Sequence, residues 1–176
     1  MMKRALYYLF KSLAILSRIF RSRSLYMRLL KMAHSFNGVC FVGKPRFIHP
    51  SVVLDPTDKL ILGENIVIST GVLVLTHDYS YTAGLIALNE RPKTDIAVIC
   101  QVIIGNDCFI GANSIILPGT KIGSNVIVGA GSVVKGKIDD YSIIAGNPAK
   151  SINDIRSWAE KKKSTIVQGT LLIDKR

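Results

Sequence analysis

From Val42 onward the chain keeps a six-residue beat. It runs Val42, Ile48, Leu54, slips by two residues, continues at Leu62, Ile68 and Val74, and returns at Val98, Ile104, Ile110, Ile116, Ile122, Val128 and Val134. Glycine often follows the beat, as at Gly43, Gly63, Gly105, Gly111, Gly123 and Gly129. The fourth residue after it is usually small or β-branched, for example Val52, Val72, Ser114, Thr120 and Ser132. A helix turning every 3.6 residues cannot hold such a beat on one face, and a plain amphipathic strand would not place glycine so regularly. A short strand, a tight corner and another short strand satisfy both. The beat residue and the fourth residue after it then point inward and stack on their equivalents in the next coil. Glycine, with Asn65, Asn106 and Asn125, permits positive-φ corners. A fixed short period of this kind marks a solenoid, and a hexapeptide period marks a parallel β-helix.

The beat stops inside "VLVLTHDYSYTAG", and the segment from Thr76 to Asp95 has none of it. A long excursion without structure of its own is functional or disordered in most compact domains. A solenoid can eject one at a corner without disturbing the coils on either side. His77 lies at its root, where the scaffold still fixes it, followed by Asp78, Tyr79 and Tyr81. An imidazole, with a free pKa of about 6.5, is suited to accepting a proton at neutral pH. Against that stands a plain solvated loop histidine.

The stretch "IIGNDCFIGANSIILPGTKIGSNVIVGAGSVVKGKIDDYSIIAGNPAKSI", Ile103 to Ile152, resembles the hexapeptide-repeat acyltransferases, and among them the sugar and polysaccharide O-acetyltransferases. The resemblance covers about residues 42 to 152. Phe109 stands where tryptophan is common, and Asp139-Asp140 replace a usual proline. It implies a mainly β fold, a left-handed parallel β-helix, in a homotrimer. Acetyl-CoA is the implied co-substrate, without a metal, and the acceptor is a hydroxyl of a sugar or polysaccharide precursor. His77 takes the general-base position, with Asp78 orienting it or binding the acceptor. Gly111, Ala112, Gly129, Ala130 and Ser132 match the small residues along which the coenzyme arm lies, and Lys135 and Lys150 match polar or basic positions facing its phosphates. Corner geometry and solvated surface charge are the competing readings for these glycines and lysines. N-acetylation of an amino sugar would use the same residues, and a non-catalytic trimeric scaffold is a further alternative. A carbonic-anhydrase-type zinc enzyme on this fold needs three histidine ligands per metal. The chain has three histidines in all, and His34 falls in the leading helical segment.

Charge is confined to one end. Residues 1–54 hold ten Lys/Arg and no Asp or Glu, whereas the remainder holds thirteen against twelve. A nucleic-acid binder more often spreads its cations over the folded body; a basic end on a near-neutral body points to an anionic surface or partner. Within residues 1–36, Leu6, Leu9, Phe10, Leu13, Leu16, Ile19 and Phe20 recur at helical spacing among Lys3, Arg4, Lys11, Arg18, Arg21 and Arg23. Lys11 and Arg18 interrupt any stretch long enough to span a bilayer, and Lys11 interrupts the apolar centre of a secretory signal. The expectation is a cytoplasmic protein whose first helix lies on the inner face of a membrane or packs on the body. The cysteines, Cys40, Cys100 and Cys108, read as buried reduced thiols. The domain reading is therefore a basic amphipathic segment at 1–36, a β-helix at 37–152 with an excursion at 76–97, and a C-terminal helix and tail at 153–176. Asn153 or Asp154 would cap that helix, and Lys161 to Lys163 would close it.

Overall fold

The computed structural model describes residues 2–17 and 22–167, with side chains to residue 163. Arg18, Ile19, Phe20 and Arg21, and the tail from residue 168, lie outside the described residues. The N-terminal segment is two helices, α1 (Met2–Ser17) and α2 (Arg23–Phe36), the second capped by the Ser22 hydroxyl.

The strands then wind in coils. The first coil is β1 (Cys40–Phe41), β2 (Phe47–Ile48) and β3 (Val53–Leu54); the second is β4 (Leu60–Leu62), β5 (Val67–Ile68) and β6 (Leu73–Val74). The excursion carries β7 (His77–Asp78), α3 (Ser80–Ala87) and β8 (Val98–Ile99). Winding resumes with β9 (Val102–Ile104), β10 (Phe109–Ile110) and β11 (Ile115–Ile116), then β12 (Lys121–Ile122), β13 (Ile127–Val128) and β14 (Val133–Val134). The last coil is β15 (Lys137–Ile138) and β16 (Ser142–Gly146). β17 (Ala149–Asp154) folds back antiparallel on β16, and α4 (Ile155–Val167) follows.

Like strands of successive coils pair in parallel and make three flat sides of a left-handed β-helix. Their registers reproduce the beat. One column is Ile48, Ile68, Ile110, Val128 and Ile144. Another is Leu54, Val74, Ile116 and Val134. The third is Phe41, Leu62, Ile104, Ile122 and Ile138. The fourth-residue positions, from Val52 to Ser132, are buried beside them. These stacked, mainly aliphatic columns form the hydrophobic core.

Several expectations need correction. Val42 is 72% exposed, because Phe41 is the residue opposite Leu62 and the inward column begins one position earlier. Val98 is exposed in the β7–β8 ribbon, so the β-helix resumes at Val102. The excursion is not structureless, since it holds that ribbon and α3. Positive φ falls at Asn65 and Asn125 but at Asp107 instead of Asn106, whose Oδ1 accepts from Glu64 N–H across a coil. Of the thiols only Cys108 is buried; burial is the main cause that pushes it up to about 11, and Cys40 is exposed. Asp154 caps α4, accepting from the N–H groups of Arg156 and Ser157, and the helix runs four residues beyond Lys163.

α2 covers the open end of the first coil. Tyr26 donates its hydroxyl to Ile48 O at 2.6 Å and Lys31 donates to Gly43 O at 2.9 Å, satisfying edge carbonyls that no earlier coil pairs. α1 packs on α2 through Ala14 and Ser17, which are buried, and through Phe10, whose ring stacks on Phe36 at 5.4 Å. No helix among the described residues is long and apolar enough to cross a membrane.

Candidate active site

Two irregularities of the repeat stack on one another. The corner after Leu54 carries the two-residue slip, and the corner after Val74 ejects the excursion. Leu54 and Val74 are register partners, so these are the same corner in consecutive coils. Asp55 N–H donates to Val74 O, which brings its side chain under Thr76 and His77.

Asp55 is 5% exposed and its Oδ2 accepts three hydrogen bonds: Thr76 N–H at 2.7 Å, the Thr76 hydroxyl at 2.8 Å and His77 Nδ1 at 2.5 Å. Because Thr76 gives its proton to Asp55, the Thr57 hydroxyl donates to Thr76 Oγ1, 2.7 Å away. Burial acts to raise the Asp55 carboxyl, but the hydrogen bonds from Thr76 and His77 outweigh it and hold the group below its ordinary value. The site therefore keeps an anion beneath the imidazole. A carboxylate has no proton to give, so neutral His77 carries its proton on Nδ1 and presents the Nε2 lone pair outward. The side chain is 37% exposed, with the Tyr79 ring edge-on at 5.5 Å. A base oriented by a buried carboxylate, with its second nitrogen accessible, can take a proton from an acceptor hydroxyl.

The carboxylate that meets His77 Nδ1 is that of Asp55, not of Asp78. Asp78 is exposed and its Oδ1 accepts from Ser80 N–H at 2.7 Å, turning the chain into α3. That bond, and then the charge of Lys135, lowers its carboxyl. Lys135 follows β14 in the same side of the β-helix as β6, so its cation lies toward the His77 loop.

The residues expected to hold the coenzyme separate into two sets. Gly111 and Gly129 are corners whose close approach to the next coil leaves no room for a Cβ. Ala112 is half-buried and Ala130 exposed, which leaves the coil edge low enough for a thin arm to lie along it; Lys135 and Lys150 are exposed cations suited to phosphate. Ser132 does not fit. It is fully buried, its hydroxyl donates to Gly129 O at 2.6 Å and accepts from Gly146 N–H, so it ties the corner together from inside. Among the described residues no three His, Cys, Asp or Glu side chains converge on one point. His34, His49 and His77 lie respectively on α2, in the first coil and on β7.

Asp55 carries a signal in the sequence as well. Counting beats by threes puts Leu54 and Val74 at the same corner of adjacent coils. An acid directly after the first, with extra corner length, lies next to whatever follows the second.

Comparison with known proteins agrees with this architecture. The family model for the hexapeptide repeat of succinyl-transferase matches residues 101–135. The chain is 30% identical over 144 residues to a chloramphenicol acetyltransferase of Escherichia coli, covering 75% of this chain and 67% of that protein. It is 31% identical over 118 residues to the putative lipopolysaccharide biosynthesis O-acetyl transferase WbbJ of Escherichia coli strain K12, covering 65% and 60%. Galactoside acetyltransferase in complex with coenzyme A superposes with a TM-score of 0.63 over 90% of this chain and 84% of that one, at 19% identity, a likeness of fold. The fold, the repeat and these relatives define one class: the chain belongs to the hexapeptide-repeat acyltransferases. It spans between 55% and 67% of the length of the curated relatives it matches.

Proposed function

We propose that the chain is an acetyl-CoA-dependent O-acetyltransferase acting on a hydroxyl of a sugar or polysaccharide precursor, with His77 as general base. The observation that carries this reading is the Asp55–His77 pair at the root of the excursion, in which Asp55 holds Nδ1 and the His77 side chain stays 37% exposed. Acetyl-CoA supplies the acetyl thioester. The acceptor hydroxyl hydrogen-bonds to Nε2 and gives up its proton as its oxygen forms a bond to the thioester carbonyl carbon. The buried Asp55 carboxylate stabilises the imidazolium so formed. As the C–S bond breaks, His77 returns the proton to the departing sulfur and is ready for another cycle. Gly111, Ala112, Gly129 and Ala130 form the edge along which the coenzyme arm lies, and Lys135 and Lys150 face its phosphates.

A homotrimer with sites at the subunit boundaries completes the reading. It is supported by the apolar side chains exposed on the excursion, among them Leu88, Val98 and Ile99, which a neighbouring copy would cover. The likeness to an O-acetyl transferase of lipopolysaccharide biosynthesis supports a polysaccharide precursor as acceptor, and the basic N-terminal third supports work at the inner face of a membrane. Turnover of acetyl-CoA against sugars, nucleotide sugars, lipid-linked oligosaccharides and chloramphenicol tests it. Transfer to a sugar hydroxyl is the expected result; acetylation of amino groups alone would reassign the acceptor.

A further inference from the structure

α1 has two apolar faces, and the protein uses one. Phe10, Ala14 and Ser17 face α2. The opposite face presents Met2, Tyr8, Leu9, Leu13, Ile15 and Leu16, all exposed. At 100° per residue these six fall on one continuous side of the helix, together with Ala5 and Ser12, with no charged residue among them. Arg4 borders it in the first turn, Lys3 stands exposed in the same turn, and Arg28 is exposed on α2. The sequence predicts a single apolar stripe; the structure splits it, sending Phe10 inward and Leu9, Leu13 and Leu16 outward. A contiguous exposed stripe of this kind marks an interaction site.

We infer that the outer face of α1 seats in the interfacial region of an anionic lipid bilayer, with α2 as the spacer between it and the first coil. The charge decides the occupant. With ten Lys/Arg and no acid before Asp55, a second copy of the same surface would set like charges against each other, whereas an anionic headgroup layer complements them. The helix lies in the surface and does not cross it: 16 residues extend about 24 Å, against a hydrocarbon core of about 30 Å. This inference rests on the hairpin alone and holds whatever the β-helix catalyses.

The test is co-sedimentation of the full chain with vesicles of phosphatidylcholine, with and without phosphatidylglycerol. Binding should require phosphatidylglycerol and weaken as salt rises. The variant Leu9→Ser/Leu13→Ser/Leu16→Ser changes only exposed side chains. It should lower the vesicle partition coefficient by about tenfold or more, with an unchanged melting temperature and an unchanged sedimentation mass. Lys3→Glu/Arg4→Glu should weaken binding and flatten its salt dependence. No binding to phosphatidylglycerol vesicles at low salt, or undiminished binding by the triple variant, overturns the inference. So does a fall in the oligomer mass of the triple variant, which would assign the face to a second copy.

Discussion

Asp55 Oδ2 lies 2.5 Å from Nδ1 of His77, although the two residues are 22 positions apart and in consecutive coils. The parallel pairing of Leu54 with Val74 brings them together, and Thr57 and Thr76 fix the carboxylate from behind. Replacing Asp55 with Asn keeps the shape and removes the charge that stabilises a protonated His77. The expected loss in kcat is about 10²-fold, in the range of general-base effects, with the KM for acetyl-CoA nearly unchanged. Steady-state kinetics on the folded variant check it; an equal loss in coenzyme affinity would contradict a role through His77.

Thr76→Val should act in the same direction but less. It removes one of three hydrogen bonds to Asp55 and leaves the backbone N–H in place. A kcat reduction of about tenfold is expected, with the Thr57 hydroxyl left without its acceptor and a stability cost of about 1–2 kcal/mol. Chemical denaturation and kinetics on one preparation separate the two effects.

The repeat was legible because its physics is periodic. An aliphatic residue every sixth position has one geometric solution, and the observed columns follow it from Ile48 to Val134. The errors fall where another constraint replaced the period. Val42 lost its place because Phe41 opposes Leu62, and Val98 kept the spacing by belonging to a ribbon that pairs with His77–Asp78. The place of His77 at the break is readable in the sequence. Its contact with Asp55 is not, because that pair forms only across the stack, and the inward turn of the Ser132 hydroxyl is hidden because a small polar residue at a corner can face either way.

Corner tightness gives a differential prediction. A Cβ on Gly111 would stand 2.6 Å from Ala130 N and Val128 O, backbone atoms that cannot yield, whereas one on Gly131, at φ +69°, meets nothing within 4 Å. Gly111→Ala should therefore cost about 3 kcal/mol through overpacking, and Gly131→Ala about 1 kcal/mol for the left-handed conformation alone. Thermal melts of the two variants check the order; equal losses would contradict it.

His34 sets an acid limit on the helical hairpin. It is 1% exposed, with Nδ1 unpartnered among the described residues and the Tyr7 ring at 5.6 Å; burial, and then the charge of Lys11, lower its pKa from 6.5 to about 4. The unfolded chain takes up this proton first, so stability should fall as pH drops from 6.5 to about 4, by at most about 3 kcal/mol. Asp55 acts in a separate window: its carboxyl is lowered, so its contribution is lost only below 3.8. Melting temperature against pH for His34→Leu beside the parent chain checks it; the variant should lose the slope above pH 4.

The most direct measurement of the central claim is acetyl transfer from labelled acetyl-CoA to a sugar hydroxyl by the full chain and by His77→Ala. The account predicts an acetyl ester on the sugar with release of CoA, and a kcat lower by about 10²–10⁴-fold in the variant, while acetyl-CoA binding measured by titration stays the same. Near-parental turnover by His77→Ala would contradict it.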